Sequence, residues 1–168
     1  MGINDGPLNL YRQIFLQMLS TGDKRLIQND SKSYACVLIA ELLKSATQEA
    51  LIFCNRLSLD VWCNADVLDG LKHAISNGVK IDVLLRSEPE SRERNSAYNL
   101  LREKSNGIVS ITSNKTVEEN FVVVDSIAYR LEYDTQCHKG FACANDCENA
   151  LILVHAFDNL KSASSQIV

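Results

Sequence analysis

Two prolines and seven glycines in 168 residues are too few for a collagen-like, linker-like or disordered chain. A long apolar run is missing as well. The longest, Ala35 to Leu43, is broken by Glu41 and is too short to span a bilayer, so no membrane partner is expected. There is no basic excess: 17 Lys and Arg stand against 21 Asp and Glu, a net charge of −4. That balance weighs against sequence-independent binding to nucleic acid, which depends on neutralising phosphates. The opening Met-Gly-Ile-Asn-Asp-Gly shows no basic-then-apolar signal pattern, and Gly6 breaks the myristoylation pattern. Six cysteines without an export signal read as free thiols in a reducing compartment, so a cytoplasmic protein is expected. What is present is a hydrophobic fraction of 46%, enough for the core of one domain with a short N-terminal extension.

The apolar periodicity orders the chain. Leu8, Tyr11, Ile14, Phe15, Met18 and Leu19 recur at helical spacing over residues 7–20, with Pro7 suited to a first turn. The polar stretch from Thr21 to Asn29 reads as a connector. A helix over 31–46 is apolar around most of its circumference, with a polar stripe at Glu41, Lys44 and Gln48. Ala50 to Cys54 is a short strand of the kind covered on both faces. Asn64 caps a helix over 65–77, which Gly78 stops, and Val79 to Leu85 is the next strand. A helix over 91–103 faces inward through Ala97, Tyr98 and Leu101, and Ile108 to Thr112 is a third strand.

Phe121 to Val124 and Ile127 to Tyr133 then read as a hairpin about Asp125-Ser126. Its second strand alternates, with Ile127, Tyr129, Leu131 and Tyr133 on one face and Ala128, Arg130 and Glu132 on the other. Phe141 to Ala144 is a further strand, and Asn145 or Asp146 caps a last helix to about Leu160. The expected fold is α/β, a mixed sheet sandwiched by helices. Residues 1–30 form an N-terminal helix and connector, and 31–168 the domain.

The segment Glu118 to Asn145, with its Phe-Val-Val-Val-Asp strand, hairpin and Phe-Ala-Cys-Ala-Asn strand, resembles one half of the phospholipase D-like superfamily. The Gly-Val-Lys-Ile-Asp-Val-Leu-Leu unit at 78–85 adds to the resemblance, which covers roughly residues 31–160. It implies a catalytic signature His-x-Lys-x4-Asp and then Gly-Ser-x-Asn, in which the His attacks phosphorus while Lys and Asn hold phosphate oxygens. Aligned on Asp125, Glu118 stands at the His position and Asn120 at the Lys position. Ala142, Cys143, Ala144 and Asn145 take the place of the second segment, so only Asp125 and Asn145 survive. A Glu beside an Asn supplies neither an imidazole nucleophile nor a cation for phosphoryl charge. Asp125 also reads as a strand-end turn residue, and Asn145 as a helix cap.

Two further groupings carry chemistry. Cys137, His138, Cys143 and Cys147 lie close in sequence but lack the paired spacing of a zinc site, and no cofactor is expected. Arg56 and Arg86 follow strands, and Arg130 projects from the hairpin opposite its apolar face. Arg56 and Arg86 would line the crevice at the carboxyl ends of the strands, with Asp125 nearby, as an anion site. Alternatively, Arg130 pairs with Glu132 or Glu118 on the surface. His73 and His155 fall on helix flanks, with no nucleophile or orienting group indicated beside them.

Three functions remain open. One is a non-catalytic domain acting through protein contacts, a regulator, immunity or accessory protein of bacterial or phage type. The resemblance implies that such a lone half pairs with a second copy. The second is a phosphodiesterase or nuclease with a rebuilt site. The third is a phosphate- or nucleic-acid-binding module.

Overall fold

The computed structural model describes residues 5–104 and 107–168; residues 1–4 of the N-terminal segment and 105–106 lie outside the description. The elements run α1 (Asp5–Thr21), β1 (Leu26–Asn29), α2 (Lys32–Ser45), β2 (Glu49–Cys54), α3 (Leu59–Trp62), α4 (Ala65–Ser76) and β3 (Lys80–Leu85). A 3-10 turn at Arg92–Arg94 leads into α5 (Ser96–Lys104). Then come β4 (Ile108–Thr112), β5 (Asn120–Val124), β6 (Ala128–Asp134), β7 (Lys139–Cys143), α6 (Cys147–Lys161) and β8 (Ser164–Gln166). The eight strands form one mixed sheet in the order β1-β7-β6-β5-β2-β3-β4-β8. β2 is parallel to β3, and β3 to β4, while β2–β5, β5–β6, β6–β7, β1–β7 and β4–β8 are antiparallel.

Strand alternation divides the core into two layers. Ala50, Ile52 and Cys54 of β2 join Ile81, Val83, Val122 and Val124 beneath Leu38, Leu42 and Leu71 of the helical layer. Leu51 and Phe53 face the other way, with Leu84, Phe121 and Val123, under Ala150, Phe157 and Leu160 of α6. The expected fold class and most elements are therefore present. Asn64 caps α4 through its side-chain oxygen, which accepts from the N–H groups of Asp66 and Val67. Asp125 and Ser126 close the β5–β6 hairpin with φ of 52 and 54, the left-handed pair that a two-residue turn requires.

Three features depart from the sequence reading. Part of the expected connector, Leu26–Asn29, is an edge strand, because the free edge of β7 offers it a partner. β8 adds to the other edge, and α3 forms between β2 and α4; both are too short to leave a periodic signal. Glu41, expected in a polar stripe, is 4% exposed. Its charge is met by Arg12 of α1, whose Nη1 lies 2.5 Å from Glu41 Oε1 and whose Nη2 lies 2.5 Å from Asp66 Oδ2. One guanidinium thus ties α1, α2 and α4 together, and Phe15 and Met18 of α1 enter the main core. Gln48, the last member of that stripe, lies beyond the helix.

Arg12→Ala leaves Glu41 buried with only Lys44, at 3.5 Å, as a partner. Urea unfolding is expected to show a loss of about 3 kcal/mol. Lys44→Ala is expected to cost less than about 1 kcal/mol, because that ammonium is a third exposed.

Candidate functional site

At the carboxyl ends of β2 and β3 the loops part around a crevice of about 390 Å³. Its walls include Arg56, Arg86 and Arg130, together with Asn120, Glu132 and His138. The three arginines singled out from the sequence do converge there. The way they are held differs from the expectation.

Arg130 and Glu132 share one face of β6 with Ala128. Sequence alternation placed that face outward, but the structure turns it inward: Arg130 is 2% and Glu132 4% exposed. The face that looked apolar is the more open one, with Ile127 and Tyr133 exposed. The reason is the layer above. The α1–α2 side covers the Ala128 face, whereas α6 lies over the middle of the sheet. The surface pairing of Arg130 with Glu132 is thus corrected to a buried one, at 2.8 Å.

A continuous chain of hydrogen bonds runs through the pair. Arg86 Nη2 donates to Asn120 Oδ1 at 2.5 Å. Asn120 Nδ2 donates to Glu132 Oε1 at 2.8 Å, and Arg130 Nη2 to Glu132 Oε2 at 2.8 Å. Arg130 Nε donates to Asn29 Oδ1 at 3.2 Å, and Asn29 Nδ2 donates to the His138 carbonyl at 2.5 Å. Arg86 also donates to the Glu119 carbonyl and lies over the Phe53 ring at 5.0 Å. Burial lowers its pKa from the ordinary value, against the opposing charges of Glu118, Glu119 and Glu132. Arg56 is exposed, and among the described residues its side chain has no hydrogen bond or ion pair. Cys54, at the floor, is pushed up to about 12 by burial and stays a neutral thiol.

His138 lies against the carboxylates without bonding them. Its Nδ1 is buried with no hydrogen-bond partner among the described residues, 3.7 Å from Glu132 Oε2, and its Nε2 is 3.8 Å from Asp60 Oδ2. Both distances exceed hydrogen-bond range.

Glu118, Asp125, Asn145 and the three cysteines are not in the crevice. Glu118 is exposed and does not line it. Asp125, expected near Arg56 and Arg86, lies at the opposite end of the sheet, beside the start of β2. Its carboxylate accepts from the N–H groups of Thr47, Gln48 and Glu49 and from the Thr47 hydroxyl, at 2.8–3.0 Å. Burial opposes its charge, but these donors together hold the carboxyl below the usual range. Asn145 sits at that same far end and donates to the Gly22 carbonyl at 3.0 Å. It is Asp146 that caps α6, accepting from Asn149 N–H. Cys137, His138, Cys143 and Cys147 do not converge. Cys143 is buried, Cys137 and Cys147 are exposed, and no group of three or more His, Cys, Asp or Glu among the described residues is placed to hold a metal ion.

The sequence reading missed Asp60 and Trp62 as crevice residues, and Asn29 as a partner of Arg130. Asn29 needs the β1–β7 pairing to reach Arg130, and Asp60 and Trp62 need the unforeseen α3. Glu132 could have been found, because its spacing of two from Arg130 already put both on one face.

No protein-family model matches the sequence, and no curated protein matches it significantly. Solved structures do match in fold. An archaeal chromatin protein, TrmBL2, described as showing a novel mode of DNA binding, superposes with a TM-score of 0.66 at 12% identity. That match covers 97% of this chain and 63% of the chromatin protein. NucT from Helicobacter pylori gives 0.64 at 12% identity, over 85% of this chain and 100% of NucT. The phospholipase D family member Nuc from Salmonella typhimurium gives 0.60 at 12% identity, over 84% and 95%. The chain therefore has a phospholipase D-like fold. No helix among the described residues is long and apolar enough to cross a membrane.

Asp125→Asn keeps a residue tolerant of positive φ but removes the charge that four donors face. A loss of about 2 kcal/mol is expected at pH 7. Because the folded pKa is lowered, the wild-type advantage is full above the ordinary carboxyl range. It fades as pH falls through the folded value, and urea titrations of both proteins between neutral pH and pH 3 read it directly.

Proposed function

We propose that this phospholipase D-like domain has lost phosphodiester chemistry and acts by binding another protein, as a regulator, immunity or accessory component. The observation that carries this reading is the Glu132 carboxylate. It takes the hydrogen bonds of Arg130 and Asn120 that a phosphate in the crevice would need. A phosphate about 4 Å from it would meet a repulsion of about 4 kcal/mol at an effective dielectric of 20. Chemistry also needs a nucleophile with a partner that orients it. Glu118 is exposed, Cys54 is a neutral thiol, and His138 bonds neither carboxylate beside it. By the resemblance, a second copy of the chain is one partner that such a lone half would take.

A second reading is nucleic-acid binding. The DNA-binding chromatin protein of like fold favours it, and so does the meeting of three arginines at one crevice. Against it stand the net charge of −4 and the use of Arg130 and Arg86 in internal bonds.

The test is hydrolysis of bis(4-nitrophenyl) phosphate and of single-stranded DNA, with magnesium, with manganese and with a chelator. A gel shift at low salt accompanies it. The expected result is no turnover above background and no DNA shift. Turnover that His138→Ala abolishes would instead establish a rebuilt enzyme. A shift that Arg56→Ala abolishes would establish the nucleic-acid module.

A further inference from the structure

A second concavity lies between α1 and the β1 side of the sheet, apart from the arginine crevice. It has a volume of about 480 Å³, and its walls include Tyr11, Tyr34, Tyr133 and Asp30. The rings of Tyr11 and Tyr34 meet edge to face, with centroids 4.6 Å apart and planes at 72°. Tyr133, from β6, is 56% exposed. The alternation of β6 predicted its ring to point into the core, but α6 does not cover it.

The chemistry of the wall is specific. Aromatic faces carry negative quadrupole charge and attract a cation placed over them. Asp30 adds a full negative charge. It is exposed, and among the described residues its carboxylate has no hydrogen bond or ion pair. It lines the same groove as the Tyr11 ring. The Tyr11 hydroxyl is itself committed, donating to the Gln28 carbonyl at 2.8 Å, which fixes the ring as a wall. Arg130 acts on Tyr11, but it is buried and held by Glu132 and Asn29.

We propose that this tyrosine-lined groove binds an arginine or lysine side chain of a partner protein, with Asp30 as the counter-charge. A protein segment is the occupant, rather than a free ammonium ion, because the apolar lip continues beyond the rings. Leu10 is 59% and Ile14 45% exposed, one helical turn apart on α1, and both line the same groove. A small ion would leave that lip in water, whereas a segment with apolar residues flanking its cation covers it. The proposal rests on the protein-contact reading above and names the chemistry of the partner.

Tyrosine rings report the binding directly, because the chain has five tyrosines and two of them, Tyr98 and Tyr129, lie outside the groove. The full chain with isotope-labelled tyrosines is titrated with a capped Ala-Leu-Arg-Ala-Leu peptide. Parallel titrations use the same peptide with Gln for Arg, and tetramethylammonium chloride. The expected result is saturable shifts of the Tyr11, Tyr34 and Tyr133 resonances, with Tyr98 and Tyr129 unmoved. The Gln peptide and the Asp30→Asn variant should each bind about tenfold more weakly. The absence of groove shifts would overturn the proposal, and so would affinity indifferent to Asp30→Asn. Tetramethylammonium binding as tightly as the arginine peptide would replace the protein partner with a small ammonium ligand. Phosphodiester turnover would sink the protein-contact reading without moving these resonances, so the two failures are separable.

Discussion

The buried Arg130–Glu132 pair is the constraint on which one end of this molecule depends. Both side chains are almost wholly buried, so each charge must be matched inside the protein. Glu132 draws Asn120 toward it from β5, and Asn120 in turn receives Arg86 from the end of β3. Arg130 draws Asn29, which exists at that point only because β1 pairs with β7. The β5–β6 hairpin, the end of β3 and the edge strand β1 are thus aligned by one carboxylate and one guanidinium. The edge strand is part of the arrangement rather than a passive end of the sheet.

The two ends of the sheet have separate tasks. One end carries the crevice and its internal neutralisation. At the other, Asp125 gathers the N–H groups of Thr47, Gln48 and Glu49 and so fixes where β2 begins. Asn145 ties the start of the α6 turn to Gly22 after α1. The residues that survive from the phospholipase D-type signature, on the sequence alignment, therefore belong to the structural end. The crevice holds a carboxylate of its own, Glu132, between Arg130 and Asn120. Above both, Arg12 holds α1, α2 and α4 in one layer through Glu41 and Asp66.

Much of this fold was legible because periodicity reports burial in the middle of the sheet. The runs at Ala50–Cys54 and Phe121–Val124 are apolar on both faces, and both faces are covered. The Asn64 cap and the Asp125-Ser126 turn carry their own local chemistry, so single residues announced them. Legibility failed where tertiary pairing decides. Leu26–Asn29 is four residues long and polar enough for a loop, and only the free edge of β7 makes it a strand. Alternation on β6 divided the residues correctly into two faces but could not say which face the helices cover, so Arg130 and Glu132 were placed outward. The arginine crevice was foreseen from the general rule for strand ends. Asp125 was assigned to it wrongly, because antiparallel β5 carries its last residue to the opposite end.

The central claim is that Glu132 occupies the anion position of the crevice. The most direct measurement follows the Glu132 carboxyl carbon and the Arg130 Nε by NMR during a titration with inorganic phosphate. The account predicts no saturable shift of either signal up to about 10 mM, well above the range of a built phosphate site. A saturable shift of both at lower concentration, with Arg130 leaving Glu132 for the added anion, would contradict it.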